Sequence, residues 1–524
     1  MKRILTAAVI LAALLQSCCK EEDKTAALNQ RAAAEYLTPI RPASEGRNPC
    51  WNEFSKKFTY APAFDFAEVE GAAAYLFTVT SDKGEWSFKA QKPTADLSPV
   101  WNDIIPSQVH LRVDAVDAGG KLIAEAGSRD FLRDFPFQGP YNSNVRPYRE
   151  AAIMAALYVH RMKAVQSWKE STEPDMSYDH FTYANKIIGG TVSVEAKVAA
   201  LVPSLREEAL QIARNAAQFL MDQSRPEGDP LAFFPPTYYL SLVSSGREDN
   251  QGKTMTMDAT MAGNGFLDLY DVTGEEIYLD RAIKIADTYV RLQNEDGSFP
   301  IKVDFVTGEP VNSAKAMLHP ILNYARRLEK QYGITRYADM MKKGSEWMNT
   351  VAVETFDLTG QFEDVSVLGL KAYQNLTNCT AAPYASFLLT SANPSESEVR
   401  DAIDLIRMSE DQFVHWDALP TAEGYRDIPT PCVYEQHKYQ MPVDNSSCNV
   451  ANAWLDLYEY NGDELAYAKA KALIDNLTVI QNTCNGQIPT ILRLMPPERH
   501  RSFWINCTNS SIKALLRMSE LTEE

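Results

Sequence analysis

Three times along this chain a helix-breaking glycine is followed by an amphipathic helix and then by a second glycine turn. Gly274 to Gly297, Gly333 to Gly360 and Gly462 to Gly486 span 23, 27 and 24 residues. In the first copy Asp271-Val272-Thr273-Gly274 breaks one helix, and Glu275 to Leu292 restarts another with Tyr278, Ala282, Ile285, Ala286 and Tyr289 near helical spacing. Asn294-Glu295-Asp296-Gly297-Ser298-Phe299-Pro300 then ends it. The copy after Gly462 exits through Cys484-Asn485-Gly486-Gln487, and the weaker copy after Tyr332-Gly333 exits through Thr359-Gly360-Gln361-Phe362. A unit of this length is one helical hairpin, which cannot bury its apolar stripe alone. The repeat therefore predicts helical pairs stacked in an array or closed into a ring.

Helical patterning begins near Asp134-Phe135-Pro136-Phe137 and continues to the end of the chain. Pro147 to Trp168 is the first helical stretch, and Val194 to Gln223 includes a long Ala- and Leu-rich amphipathic segment. Short helices rich in small residues start near Asn312, Asn378, Asn445 and Thr508; longer amphipathic ones run near Arg336 to Thr350, Glu396 to Gln412 and Asp463 to Asn482. That alternation suits an (α/α)6-type toroid, whose inner helices pack on all sides while outer helices keep one wet face. About six hairpins fit the length. The predicted fold class is mainly α, with the toroid over residues 138–524 preceded by a small β-sandwich over 48–137.

The β assignment rests on runs such as Ala73 to Val79 and Val109 to Val116, with Asp82-Lys83-Gly84 and Ala118-Gly119-Gly120 as turns. This module resembles the immunoglobulin- or fibronectin-like domains placed ahead of carbohydrate-active domains. Trp86 or Trp101 would offer it a glycan platform, although single tryptophans in such modules more often belong to the core.

Residues 1–20 read as a targeting segment: Lys2-Arg3, an apolar run from Ile4 to Leu15, then Leu15-Gln16-Ser17-Cys18, which resembles the box where bacterial lipoproteins are cut and acylated. Cys18 is the expected lipidation site, residues 21–47 a polar tether, and Lys20-Glu21-Glu22-Asp23 resembles the acidic signal of surface lipoproteins. The expected location is the cell envelope, lipid-anchored to the outer membrane, with no other membrane contact. A formal net charge of −18 and pI near 5.0 argue against nucleic acid as partner. The remaining cysteines show no metal-ligand spacing, and no P-loop, dinucleotide fingerprint or His-x-x-x-His occurs, so no cofactor is expected; loop carboxylates leave room for calcium.

Within Met255 to Tyr270 a single carboxylate, Asp258, stands among small and apolar residues where a helix should begin. It is either a site residue or a helix N-cap. Asp258-Ala259-Thr260-Met261, followed by Ala262-Gly263 and Phe266-Leu267, resembles the inner-helix motif of unsaturated glucuronyl hydrolases and their rhamnogalacturonyl relatives in the six-hairpin glycosidase superfamily. The resemblance covers about a dozen residues and the hairpin architecture; six-hairpin β-glucuronidases, uronyl epimerases or lyases are the alternative kin. It implies that Asp258 acts as acid/base on a uronic-acid residue. Those families lack a sandwich ahead of the toroid, and their second acid does not align.

If all inner helices point one way, the connections entering them share one rim. Those connections are rich: Glu363, Asp364, Tyr373 and Gln374 in one, then His415, Trp416, Arg426, Tyr434, Glu435, His437, Tyr439 and Asp444, then Arg499, Arg501, Trp504 and Asn506. Aromatic faces stack on pyranoses, amides read hydroxyls and arginines clamp carboxylates. Hydrolysis needs two carboxyls, for which Asp258 pairs with Glu363, Asp364 or Glu435. Substrate-binding candidates are His415, Trp416, Arg426, Tyr434, His437, Tyr439, Arg501, Trp504 and Asn506. Glu435 and His437, two residues apart, would share a side in an extended segment. The expected function is hydrolysis of uronic-acid-containing, anionic oligosaccharides or polysaccharides. The alternatives are a lyase using Tyr434, Tyr439, His415 or His437 for β-elimination, and a non-catalytic surface glycan-binding lipoprotein.

Overall fold

The computed structural model describes residues 23–40, 51–240, 250–358, 369–417, 429–438, 440–492 and 503–523. Cys18, Gly360, Glu363, Asp364, Arg426, Tyr439, Arg499 and Arg501 lie outside the described residues. Among the described residues no helix is long and apolar enough to cross a membrane.

The tether expected over 21–47 is helical where described. Helix α1 (residues 23–35) buries Ala32, and Tyr36 and Ile40 follow it into the core. Its alanines, read as linker composition, are also the best helix formers. Asn29 bonds the carbonyl of Gly139 at 2.7 Å, and Arg31 pairs with Asp463 at 2.5 Å.

Seven strands follow: β1 (Lys57–Phe58), β2 (Ala63–Phe64), β3 (Ala74–Ser81), β4 (Gly84–Ala90), β5 (Ala95–Asp96), β6 (Ser107–Val116) and β7 (Leu122–Arg133), with the one-turn α2 (Ser98–Trp101) after β5. Five make one sheet in the order β1-β7-β6-β3-β4, antiparallel except β1 beside β7. β2 and β5 pair separately. Burial alternates along β3 and β6, so one sheet face, carrying Phe77, Leu111 and Val113, turns inward. The β2–β5 ribbon and α2 supply Phe64, Leu97 and Trp101 to that core, rather than a second full sheet as a sandwich requires. Trp101 is fully buried and donates Nε1–H to Thr59, so it is core and not a glycan platform.

Among the described residues, twelve helices of eleven or more residues then alternate. The outer six are α3 (Tyr148–His160), α6 (Arg206–Asp222), α8 (Glu276–Leu292), α10 (Ala338–Met348), α12 (Glu396–Phe413) and α14 (Glu464–Thr483). A single turn, α4 (Lys163–Gln166), trails α3. The inner six are α5 (Gly189–Leu201), α7 (Ala259–Thr273), α9 (His319–Tyr332), α11 (Asn378–Leu389), α13 (Asp444–Asn461) and α15 (Ile505–Leu521). Each inner helix packs on the next, and α15 returns to α5, closing the ring. Small residues permit this. A Cβ on Gly265 would meet the Gly189 carbonyl at 2.7 Å, so α5 and α7 touch backbone to backbone.

The glycines of the repeat end inner helices: Gly274, Gly333 and Gly462 follow α7, α9 and α13 with φ of 68°, 68° and 73°. This left-handed cap needs no Cβ and turns the chain outward at once. Inner-to-outer turns are accordingly two to six residues long, whereas outer-to-inner connections take 21 to 36. Two details differ from the sequence reading. Val194 to Gln223 splits into α5 and α6 because Pro203 cannot continue a helix. The inner helix expected near Asn312 begins at His319: Lys302–Asp304 (β9) pairs with Lys253–Met255 (β8), and Pro310 and Lys315 bridge back to Val303 and Pro300 before the helix can start. Another ribbon, β10 (Val414–His415) with β11 (Cys432–Val433), lies in the α12–α13 connection.

Candidate functional site

The six inner helices point the same way, and five of them, together with the turn that leads into α5, line a cavity of about 680 Å³. Met257, Thr260 and Asn264 come from α7 and its entry, His319 and Arg327 from α9, Cys379 from α11, Asn445 and Asn449 from α13, and Trp504, Asn506 and Cys507 from the start of α15. Helix N-termini carry partial positive charge and unbonded amides, so a ring of them favours an anion. Lys186 adds a full charge. It sits in a single π-helical turn (Ala184–Ile188) before α5, with Nζ 5.3 Å from the Trp504 ring centre.

Glu435 is the carboxylate among the described lining residues. Burial raises its pKa above the ordinary value, opposed by a bond from Gln436 Nε2 (3.3 Å) and by the charge of Lys186. Trp504 stacks at 4.3 Å on His180 and leaves an aromatic surface in the lumen. Asn506 lines it too, with a buried Oδ1 that has no hydrogen-bond partner among the described residues. His319 has its pKa pushed down to about 3 by burial, and is neutral; its buried Nδ1 also has no hydrogen-bond partner among the described residues. Behind the wall Asp444 accepts from Ser511 (2.9 Å) and from the Asn445 amide (2.8 Å). Burial lifts its pKa to about 8, with the charge of Glu435 contributing. It is therefore protonated at neutral pH.

Asp258 lies 3% exposed at the start of α7, between lining residues, but is not part of the lining. Its side chain makes no capping bond to α7, so the N-cap reading fails. Its charge is felt instead by the phenol of Tyr289 on the outer helix α8, whose pKa is raised by burial and then by Asp258.

The α12–α13 connection divides its candidates. Trp416 is 1% exposed, donates Nε1–H to Glu410 (3.0 Å) and packs edge-on against Phe137 at 4.9 Å, which removes it from any sugar. His415 pairs with Asp134 at 2.8 Å and contacts the Tyr434 ring at 4.1 Å. His415, Tyr434 and His437 face a separate groove between the sheet domain and the toroid. Glu435 and His437 thus open to different cavities. His437 Nδ1 lies 3.3 Å from the Tyr373 carbonyl, and burial lowers its pKa to about 4.

Of the sequence candidates, the lumen brings together Glu435, Trp504 and Asn506. Lys186 and His319 were missed. Lys186 is a lone charge in Ala184-Asn185-Lys186-Ile187-Ile188-Gly189-Gly190, the same signal that drew attention to Asp258, and His319-Pro320 marks a helix start. The five described cysteines are buried and form no disulfide with one another, and no group of three His, Cys, Asp or Glu among the described residues is arranged to hold a metal.

No family model matches the chain, and no curated protein matches its sequence. Among solved structures, a family 76 glycoside hydrolase from a bovine Bacteroides thetaiotaomicron strain is 10% identical and overlays with a TM-score of 0.49 over 87% of this chain and 94% of its own. An unsaturated glucuronyl hydrolase specific for heparin is 12% identical, with a TM-score of 0.46 over 72% and 98%. The GH76 α-mannanase of Bacteroides thetaiotaomicron is 13% identical and overlays at 0.50 over 71% of this chain and 97% of its own. With that mannanase the protein shares a fold, the ring of six helical hairpins that forms an (α/α)6 toroid.

Proposed function

We propose that the protein is a glycoside hydrolase that cleaves uronic-acid-containing oligosaccharides in the toroid lumen, with Glu435 as general acid. The observation that carries this reading is the half-buried Glu435 carboxyl, its pKa raised by desolvation, in a cavity lined by the starts of inner helices, with Lys186 and Trp504 beside it. A carboxyl whose pKa desolvation moves upward is the kind of group that protonates a glycosidic oxygen. Lys186 and the helix dipoles suit a sugar carboxylate, and the indole of Trp504 suits a pyranose face. The mannanase of the same fold is a glycan-cleaving enzyme, which agrees in class. The second carboxyl is assigned to Glu363 or Asp364, in the connection that enters α11. In this reading Cys18 anchors the mature chain to the outer membrane.

The test is incubation with pectin, alginate, chondroitin and heparin, following reducing ends together with the ultraviolet absorbance of unsaturated uronates. Reducing ends without rising absorbance are expected, with a loss on the order of 10²–10⁴-fold in Glu435→Gln and a much smaller one in Asp258→Asn. Rising absorbance would instead mean β-elimination. Absence of product from every glycan would sink the enzyme reading and favour glycan binding.

A further inference from the structure

Where the sheet domain meets the toroid rim, a second cavity of about 710 Å³ opens, with Phe54, Gln108 and Arg129 on one side and Gln374, Gln436 and Gln440 on the other. Gln436 is common to both cavities. Its Nε2 donates to Glu435 of the lumen (3.3 Å), and its Oε1 accepts from Asn375 (2.9 Å). One side chain therefore stands between the groove and the acid. We infer that this groove holds the continuation of the glycan whose cleaved residue occupies the lumen, so that the sheet domain is part of the substrate site and the protein acts on chains of several sugars.

The chemistry of the groove fits that occupant. Both cavities lie within the range of ligand sites, about 300–1,000 Å³ each. A carboxamide both donates and accepts, which matches a hydroxyl, and four of these six residues are glutamines. Gln108 and Gln440 are exposed and have no side-chain hydrogen bond among the described residues. Phe54 presents a half-buried ring for stacking. Arg129, resting 5.1 Å from the Phe66 ring, supplies charge for an acidic residue.

The inference rests on the hydrolase reading only for what occupies the lumen, and its test reads binding instead of cleavage. The full chain is run by affinity electrophoresis through gels containing pectin, alginate, chondroitin or mannan, beside the double variant Gln108→Ala/Gln440→Ala. Both positions are exposed, so the substitutions leave the fold intact. At least one polysaccharide should retard the wild type, and the double variant should bind it about tenfold more weakly, the worth of two hydrogen bonds. Equal retardation of the two proteins, or no retardation of the wild type in any gel, would overturn the groove. Retardation lost in the variant with no cleavage by either protein keeps the groove and rejects hydrolysis. Cleavage with equal retardation does the reverse.

Discussion

Single residues around the lumen set its electrostatics. Lys186 lowers the pKa of Glu435 while burial raises it. Lys186→Met should therefore move the alkaline limb of kcat/KM to higher pH, because the acid stays protonated longer. It should also raise KM for a uronate substrate by roughly thirtyfold, about 2 kcal/mol for one lost partner of a buried charge pair. A purely packing role for Lys186 would leave the pH limb where it was. Asp444 gives a second pH signature. It ionises near 3.8 when unfolded and at about 8 when folded, so the stability it contributes is present below about pH 4 and is lost as pH rises to 8. Asp444→Asn cannot ionise; its melting temperature minus that of the wild type should grow between about pH 5 and pH 8. A flat difference would show that Asp444 is already charged in the native protein.

At the scale of elements, the glycine turns allow a graded comparison. Gly274 has φ of 68° with open space at its Cβ, so Gly274→Ala should cost only the left-handed strain, about 1–2 kcal/mol. Gly297 has φ of 87°, and its Cβ would stand 2.2 Å from the Lys343 carbonyl oxygen. Gly297→Ala must also move a backbone and should cost at least about 1 kcal/mol more. Urea denaturation of both variants checks the order. These turns were legible in the sequence because glycine at a helix end is a local signal. The β-ribbons on the rim were not, since strands of two or three residues have no period to detect and owe their pairing to distant segments.

Across the whole molecule, one buried carboxylate ties three parts together. Glu410 on α12 accepts from Tyr36 (2.5 Å) after α1, from Tyr60 (2.8 Å) in the sheet domain, from Trp416 (3.0 Å) and from Lys469 (2.7 Å) on α14. Asp411 beside it receives the amides of Thr59 and Tyr60, at 2.6 Å and 2.8 Å. Native unfolding should thus be a single calorimetric transition. Glu410→Ala leaves Lys469, which is 2% exposed, with only the longer pairing to Glu35 at 3.7 Å, and should cost about 3 kcal/mol. It should also separate an early transition of the sheet domain from that of the toroid. A single undivided transition in the variant would mean that apolar contacts alone hold the domains together.

The sequence by itself determined the toroid. Helical period, small-residue inner helices and capping glycines act within a few residues of one another, so they are written locally. It also located the rim and named Glu435, Trp504 and Asn506 among its candidates. Which rim side chain enters the lumen was decided only by tertiary structure. Trp416 turns away because Glu410 and Phe137 bind it, His415 because Asp134 lies across a domain boundary, and Asp258 because its neighbours Met257 and Thr260 face the cavity in its place. Those partners lie far off along the chain or around a helical turn, and no local pattern carries their direction.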